Sequence, residues 1–380
     1  MDKARANSHP DLVDELRTRI EREGRITFAH FMRIALYHPG YGYYVNSVAR
    51  PGRGGDFLTA PEAHPIFGYT LARQIAQMAD LLGRPQPFTL REYGAGAGTL
   101  ALALLEGLHV ERPDLLPTLR YEPVEINPAR LSDLRRTLID DGFDVQLAGP
   151  SETSLTGCIL ANEFLDAMPV HRVVMQDGAL AERYVVWRDG WFTEESGPPS
   201  TPALEHYLAD GGIELVDGQI AEINLEMTDW IGTIAARLAR GYVLLIDYGY
   251  RAAKLFGPDY RDGTLRAYYQ HTVSDDPFRA IGNQDLTAHV DFSALERSAR
   301  AHGLYVLGLT TQADFLSGAG IGELLVAAQQ WEGMTFDDYV ALRSAVIRMI
   351  EPGAMGRFRV LILGRDVPEN EPLIGLSTTL

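Results

Sequence analysis

The chain has a single cysteine, Cys158, among 380 residues. One thiol excludes an intrachain disulfide framework and a cysteine-built zinc site, and it suits a reducing compartment. Its expected place is the core. No run of about 18 apolar residues occurs, which excludes a membrane-spanning helix as an expectation. Basic charge is scarce as well: 34 Lys and Arg stand against 51 Asp and Glu, a formal charge of −17. Broad binding to nucleic acid or to an anionic membrane needs a basic surface to neutralise phosphate, so both classes are disfavoured, although local basic patches stay open. Residues 1–23 contain Asp2, Asp11, Asp14 and Glu15 among their basic residues and lack an apolar segment. Neither a secretory signal nor an acidic-poor transit peptide is expected there, and a cytoplasmic, prokaryotic protein follows. Internal repeats and low-complexity tracts are missing too. What remains is the composition of a globular protein, 46% apolar and 22% charged, long enough for an enlarged domain or a core with insertions.

Periodicity gives the organisation. Leu12, Val13, Leu16 and Ile20 form one helical face, and a second amphipathic stretch surrounds Phe28 to Leu36. The segments from His38 to Tyr44 and from Pro51 to Phe57 are loops, rich in residues that permit unusual backbone angles. Thr59 can cap a helix whose apolar stripe runs through Phe67, Leu71, Ile75, Met78 and Leu82. About 85 residues thus precede the first strand, a helical amino-terminal extension. From there strands and helices alternate: strands at 88–93, 119–124 and 158–161, helices at 100–108 and 128–138. Alternation of this kind predicts a doubly wound, mostly parallel α/β sheet. Residues 170–192 read instead as short strands with a turn at Asp189-Gly190. A helix at 226–240 and a buried strand at 242–246 resume the α/β pattern. After an irregular stretch from 251 to 287 come a helix at 292–302 and last strands near 304–307 and 359–363. The expected division is an extension over 1–85, a core over 86–168 and 220–380, and a β-rich insertion over 169–219.

Gly94, Gly96 and Gly98 follow the first strand and precede a helix, where missing β-carbons let backbone approach a ligand at the carboxyl edge of a parallel sheet. The spacing is G-x-G-x-G, not the G-x-G-x-x-G of a dinucleotide fingerprint, so a pyrophosphate is disfavoured. S-adenosylmethionine has no phosphate and presents an ammonium, a sulfonium and a ribose. Glu92 can meet the ammonium. Glu125, twenty-seven residues beyond Gly98 at the end of the second strand, can accept from both ribose hydroxyls. The competing explanations are a structural turn for the glycines and a solvated strand-end charge for each glutamate. Asn162, Glu163 and Asp166 follow the strand that ends near Ala161, where the transferable methyl group and its acceptor would meet. A guanidinium acceptor offers only donors and stays protonated in water, so carboxylates such as Glu163 and Asp166 are needed to orient it and take its proton. The alternative is that Asn162 and Asp166 stabilise a turn and cap a short helix. Asp56 and Phe57, in the loop before Thr59, can fold over the cofactor. His289 between Asp285 and Asp291 suggests acid/base work or, for Asp291, a helix cap. Asp247 and Tyr248 close a buried strand at the same edge. No pattern of metal ligands is present, and no metal is expected.

Taken in order, His38 to Tyr44, Gly55 to Gly68, Glu92 to Leu100, Tyr121 to Glu125, Ala161 to Val170, Ile246 to Gly249 and Gly282 to Phe292 resemble the MidA-like family, over most of the chain. Mitochondrial members of that family are complex I assembly factors that act as protein arginine methyltransferases. The resemblance implies a seven-stranded Rossmann-like methyltransferase sheet with an accessory insertion, S-adenosylmethionine as donor, and symmetric dimethylation of an arginine in a respiratory-complex subunit for the mitochondrial relatives. The expected partner is a protein substrate. Two other functions stay in view: a NAD-dependent oxidoreductase, which shares the strand, glycine turn and acid, and a non-catalytic assembly protein that keeps the fold.

Overall fold

Apolar runs buried on both faces need a partner on each side, and four of them pair in parallel here. In the computed structural model, which describes residues 2–46, 59–368 and 371–377, the core strands are β1 (Phe88–Tyr93), β2 (Leu119–Val124), β3 (Leu155–Asn162), β4 (Leu238–Asp247), β5 (Tyr305–Thr311) and β6 (Arg359–Arg365). Their spatial order is β5-β6-β4-β3-β1-β2. β1 pairs in parallel with β2 and β3, and β3 with β4, whereas β6 is antiparallel to both β4 and β5. A seventh position is occupied by a single parallel bridge from Tyr121 to Leu147, beside β2. The fold is therefore α/β and Rossmann-like, with the antiparallel strand β6 set between β4 and β5. Cys158 is fully buried in β3, packed in the core.

The chain divides into two compact units. One comprises Leu58–Phe164, Gly232–Tyr248 and Ala299–Leu380 and contains this sheet. Helices Ile66–Leu81 and Thr99–Glu111 cross closely within it because small residues meet: a β-carbon on Gly68 would lie 2.5 Å from that of Ala103. The periodicity predicts one helix from Thr59 onward, but it breaks in two. Thr59 and Glu62 form a capping box on the short helix Ala60–Ala63, which stops at His64. Pro65 drives its predecessor into extended backbone, at φ −168° and ψ 144° for His64, and the long helix starts afresh at Ile66. The helix expected to reach residue 240 ends at Arg237, and the chain enters β4 at once.

The other unit comprises Met1–Phe57, Leu165–Ile231 and Gly249–Ser298. Its antiparallel sheet places Ala179–Arg188 between Ile26–Thr27 and His171–Gln176, with Ile220–Ile223 beyond the latter and Trp191–Gly197 also paired to Ala179–Arg188. The Asp189-Gly190 turn is tight because both residues take positive φ, 53° and 81°. Phe28, Phe31, Phe192 and Phe278 join Leu12, Leu16 and Ile20 in this unit's core. The stretch expected to be irregular holds a small antiparallel sheet of Arg266–Tyr269, Thr272–Ser274 and Asp285–Thr287. Strands of three or four residues are too short to register as a period.

Across β1 and β2 runs an ion pair that is almost wholly buried. Arg91 and Glu122 are 2% and 1% exposed, with Nε of Arg91 2.8 Å from Oε2 of Glu122 and Nη2 2.7 Å from the Ser151 carbonyl. Removing one partner strands the other charge in low dielectric. Glu122→Ala is expected to cost about 3–5 kcal/mol, read as a lower midpoint in urea unfolding; a loss under about 1 kcal/mol would show that Arg91 reaches water on its own.

Candidate functional site

Parallel strands end at one edge, so the loops after β1, β2, β3 and β4 converge there. The turn after β1 carries Gly94, Gly96 and Gly98 at φ +70°, +56° and +92°. These angles suit residues without a β-carbon. The three glycines differ in what surrounds them. A β-carbon on Gly94 would meet Phe164 at 3.0 Å and one on Gly98 would meet Leu134 at 2.9 Å, whereas on Gly96 it would face open space. Close packing explains the outer two. Gly96 alone leaves room for a ligand against the backbone. The amide of Gly94 donates to the Val124 carbonyl at 2.9 Å, fastening the turn to the end of β2.

Glu125 completes that fastening. Its Oε2 accepts from the Gly96 amide and its Oε1 from the Asn127 amide, both at 2.8 Å. Asn127 in turn caps the helix Pro128–Asp140 by accepting from Ala129 and Arg130. Ile126 lies between them and is 56% exposed, an apolar surface beside a carboxylate. Glu92 is 3% exposed and accepts from the Tyr121 hydroxyl at 2.6 Å. Burial pushes its carboxyl up to about 7; the Tyr121 hydrogen bond opposes that shift and the Glu125 charge adds to it. The sequence reading gave Tyr121 no role. Its signal was available: Tyr121 is two residues from Pro123, which registers with Glu92, so period-two geometry puts both side chains on one face of the sheet.

The loop after β3 is held from below by β4. The Glu163 amide donates to the Ile246 carbonyl at 2.8 Å, and the buried Asp247 carboxylate accepts from the amides of Phe164 at 3.1 Å and Tyr248 at 2.8 Å. Phe164 leans on Tyr93, with ring centroids 5.9 Å apart. Asn162 donates to Glu163 Oε1 at 3.3 Å. Glu163 sits at φ +48°, a left-handed conformation that a non-glycine residue rarely adopts. Residues 163–169 form turns and no helix follows, so neither Asn162 nor Asp166 is a helix cap. Asp166 belongs to the unit that begins at Leu165, where it is 6% exposed and its carbonyl accepts from the Ala288 amide at 2.9 Å. Asp56 and Phe57 lie outside the described residues.

The aspartates that flank His289 each accept from other groups. Asp291 accepts from the amides of Ser293 and Ala294 at the start of Phe292–Ala301 and from the Tyr207 hydroxyl at 2.9 Å, the capping alternative. Asp285 accepts from Tyr44. The His289 ring meets Tyr250 and Tyr260 edge-on, at 5.7 and 5.5 Å. Among the described residues, no group of three or more His, Cys, Asp or Glu side chains is placed to hold a metal ion, and no helix is long and apolar enough to cross a membrane.

A sequence profile for a family of S-adenosyl-L-methionine-dependent methyltransferases matches residues 70–310. The chain belongs to that family. It is similar to a protein from Burkholderia thailandensis whose crystal structure holds S-adenosyl-homocysteine, with 33% identity and a TM-score of 0.88 over 98% of this chain and 96% of that one. It is 29% identical to the mitochondrial protein arginine methyltransferase NDUFAF7 homolog of Drosophila melanogaster, over 98% of this chain and 90% of the relative. The mitochondrial protein arginine methyltransferase NDUFAF7 of Homo sapiens is 26% identical, over 82% of this chain and 73% of that protein. This chain is thus a methyltransferase, and S-adenosylmethionine is its cofactor. The site chemistry fits: an open glycine backbone flanked by carboxylates suits hydroxyls and an ammonium.

The left-handed backbone at Glu163 carries a strain of about 1–2 kcal/mol that glycine would not feel. Glu163→Gly is therefore expected to unfold at a higher urea concentration than Glu163→Ala, which keeps the strain; equal midpoints would show that the backbone there is relaxed.

Proposed function

We propose that this methyltransferase acts on arginine side chains of a protein, with Glu163 and Asp166 as the carboxylates that orient the guanidinium and receive its proton, and Asn162 beside them. The observation that carries the cofactor half is the pairing of Gly96, open to a ligand, with Glu125, whose oxygens keep lone pairs for ribose hydroxyls. Gly94 and Gly98 shape the turn, and Glu92 receives the ammonium. Ile126 offers an apolar surface to the adenine. When bound, S-adenosylmethionine supplies a methyl group on a sulfonium, open to direct displacement. The chain aligns the acceptor in line with that methyl and excludes water. The acceptor class rests on the arginine methyltransferases among its relatives and on the carboxylates after β3. A respiratory-complex subunit is the favoured substrate, and with one cysteine in the chain we place the reaction in a prokaryotic cytoplasm. Methylarginine peptides lost from a deletion strain, compared with its parent by mass spectrometry, would identify the acceptor; an unchanged methylarginine inventory would sink the arginine assignment.

Gly96→Leu is expected to abolish S-adenosylmethionine binding in calorimetry, because the side chain fills the open space and adds strain at positive φ. Retained affinity would remove Gly96 from the site.

The pH dependence follows from Glu92. Its carboxyl titrates at about 7 in the folded protein, above its unfolded value. A bound ammonium favours the ionised form, so affinity falls as the pH drops below that value, approaching tenfold per unit. Stability of the unliganded protein runs the other way: the folded state holds the extra proton, so this group's contribution is present at low pH and is lost as pH rises through about 7. Glu92→Gln is expected to flatten the affinity profile, and a step that persists in this variant would assign it to another group.

A further inference from the structure

The helix Phe336–Ile350 is covered on one side only. Leu342, Ala345, Val346 and Met349 are buried. At about 100° per residue, Phe336, Val340 and Ile347 fall within about 40° of one another on the opposite side. Those three are 79%, 45% and 49% exposed, and Phe336 is the only exposed phenylalanine among the described residues. A single apolar side chain in water is ordinary; three aligned along one helix form a stripe.

The charges beside the stripe are divided between its ends. Asp337 stands in the first turn of the helix and Arg348 in the last. They are about 20° apart around the axis, so both flank the stripe on the same side. Neither side chain has an ion-pair partner among the described residues. The helix dipole accounts for an acid at the start and a base at the end. It does not account for a phenylalanine beside them in water.

We propose that this face docks a second copy of the chain, with the two helices antiparallel about a two-fold axis level with Leu342. A two-fold contact needs a surface complementary to itself. Antiparallel pairing meets that need, because Phe336 of one copy lies beside Ile347 of the other and Asp337 beside Arg348, each twice over. Parallel pairing would set like charge against like. The Ser344 hydroxyl already donates to the Val340 carbonyl at 2.8 Å, so covering it leaves no donor stranded. Arg343, at the other margin of the stripe, lays its stem along the apolar surface and keeps its head in water. A single pair of such helices covers less than the roughly 1,600 Å² of a standard interface, so the dimer is weak, with a Kd on the order of 10 μM.

Sedimentation equilibrium of the full chain, from about 1 to 500 μM, is expected to show reversible passage from monomer to dimer. Phe336→Ala takes an apolar side chain from each half of the contact and is expected to weaken the dimer at least about a hundredfold. Arg348→Asp sets like charges face to face and is expected to weaken it about tenfold. Adding Asp337→Arg to that variant rebuilds both ion pairs in reverse and is expected to recover association to within about threefold of the wild type. Affinity for S-adenosyl-homocysteine stays unchanged in all three, which separates a lost interface from an unfolded chain. A chain that remains monomeric throughout the concentration range overturns the proposal. So does a dimer that Phe336→Ala or Arg348→Asp leaves intact, or one that the second charge reversal fails to recover.

Discussion

Two amides from different loops, those of Gly96 and Asn127, converge on the Glu125 carboxylate, and much of the cofactor edge depends on that convergence. The glycine turn belongs to the end of β1 and the Asn127 cap to the helix after β2. Each loop alone would have many conformations, because a turn with three positive-φ glycines has the least intrinsic stiffness a chain can have. A carboxylate that accepts from both charges the hydrogen bonds and shortens the list of conformations to one. The open side of Gly96, the entry of the helix at Pro128 and the electrostatic push on Glu92 are all set by where that carboxylate is held.

The same device recurs one loop further on. Asp247, 1% exposed, accepts from Phe164 and Tyr248 and so joins the ends of β3 and β4. The chain's formal charge of −17 is therefore not purely a surface property. Some of its acids, Glu92, Glu122, Asp247, Asp285 and Asp291 among them, are buried and work as acceptors for backbone amides, tyrosines or an arginine. Acidic composition here reflects loop architecture as well as surface charge.

The parallel core was legible in the sequence because its strands are continuous apolar runs separated by amphipathic helices, a pattern that needs no knowledge of distant partners. Gly94, Gly96, Gly98 and Glu125 were legible for the same reason: their meaning comes from position relative to a strand end. Other features depend on contacts that local pattern does not encode. The break at His64-Pro65 was masked by an apolar stripe that continues on the far side. Nothing local pairs Ile26–Thr27 with a strand more than 150 residues later, and the 266–287 strands are too short to show alternation. The three glycines read as equivalent from spacing, whereas their neighbours separate two packing roles from one open face. Asp247 was placed at the sheet edge by its position after a buried strand, but its tie to Phe164 and the role of Tyr121 emerged only once register and burial showed whose hydrogen bonds they complete.

The Gly96 amide has a further consequence through its polarity. Glycine turns that hold nucleotides by their phosphates do so with unspent N–H groups at a helix start, an electropositive nest for an anion. In this turn the Gly96 N–H already donates to Glu125, so what meets an incoming molecule is the outer side of a carboxylate. The sign of the site is inverted: a diphosphate would find repulsion where it needs donors, while a sulfonium amino acid carrying a ribose finds acceptors for its hydroxyls and a field that favours its positive charges.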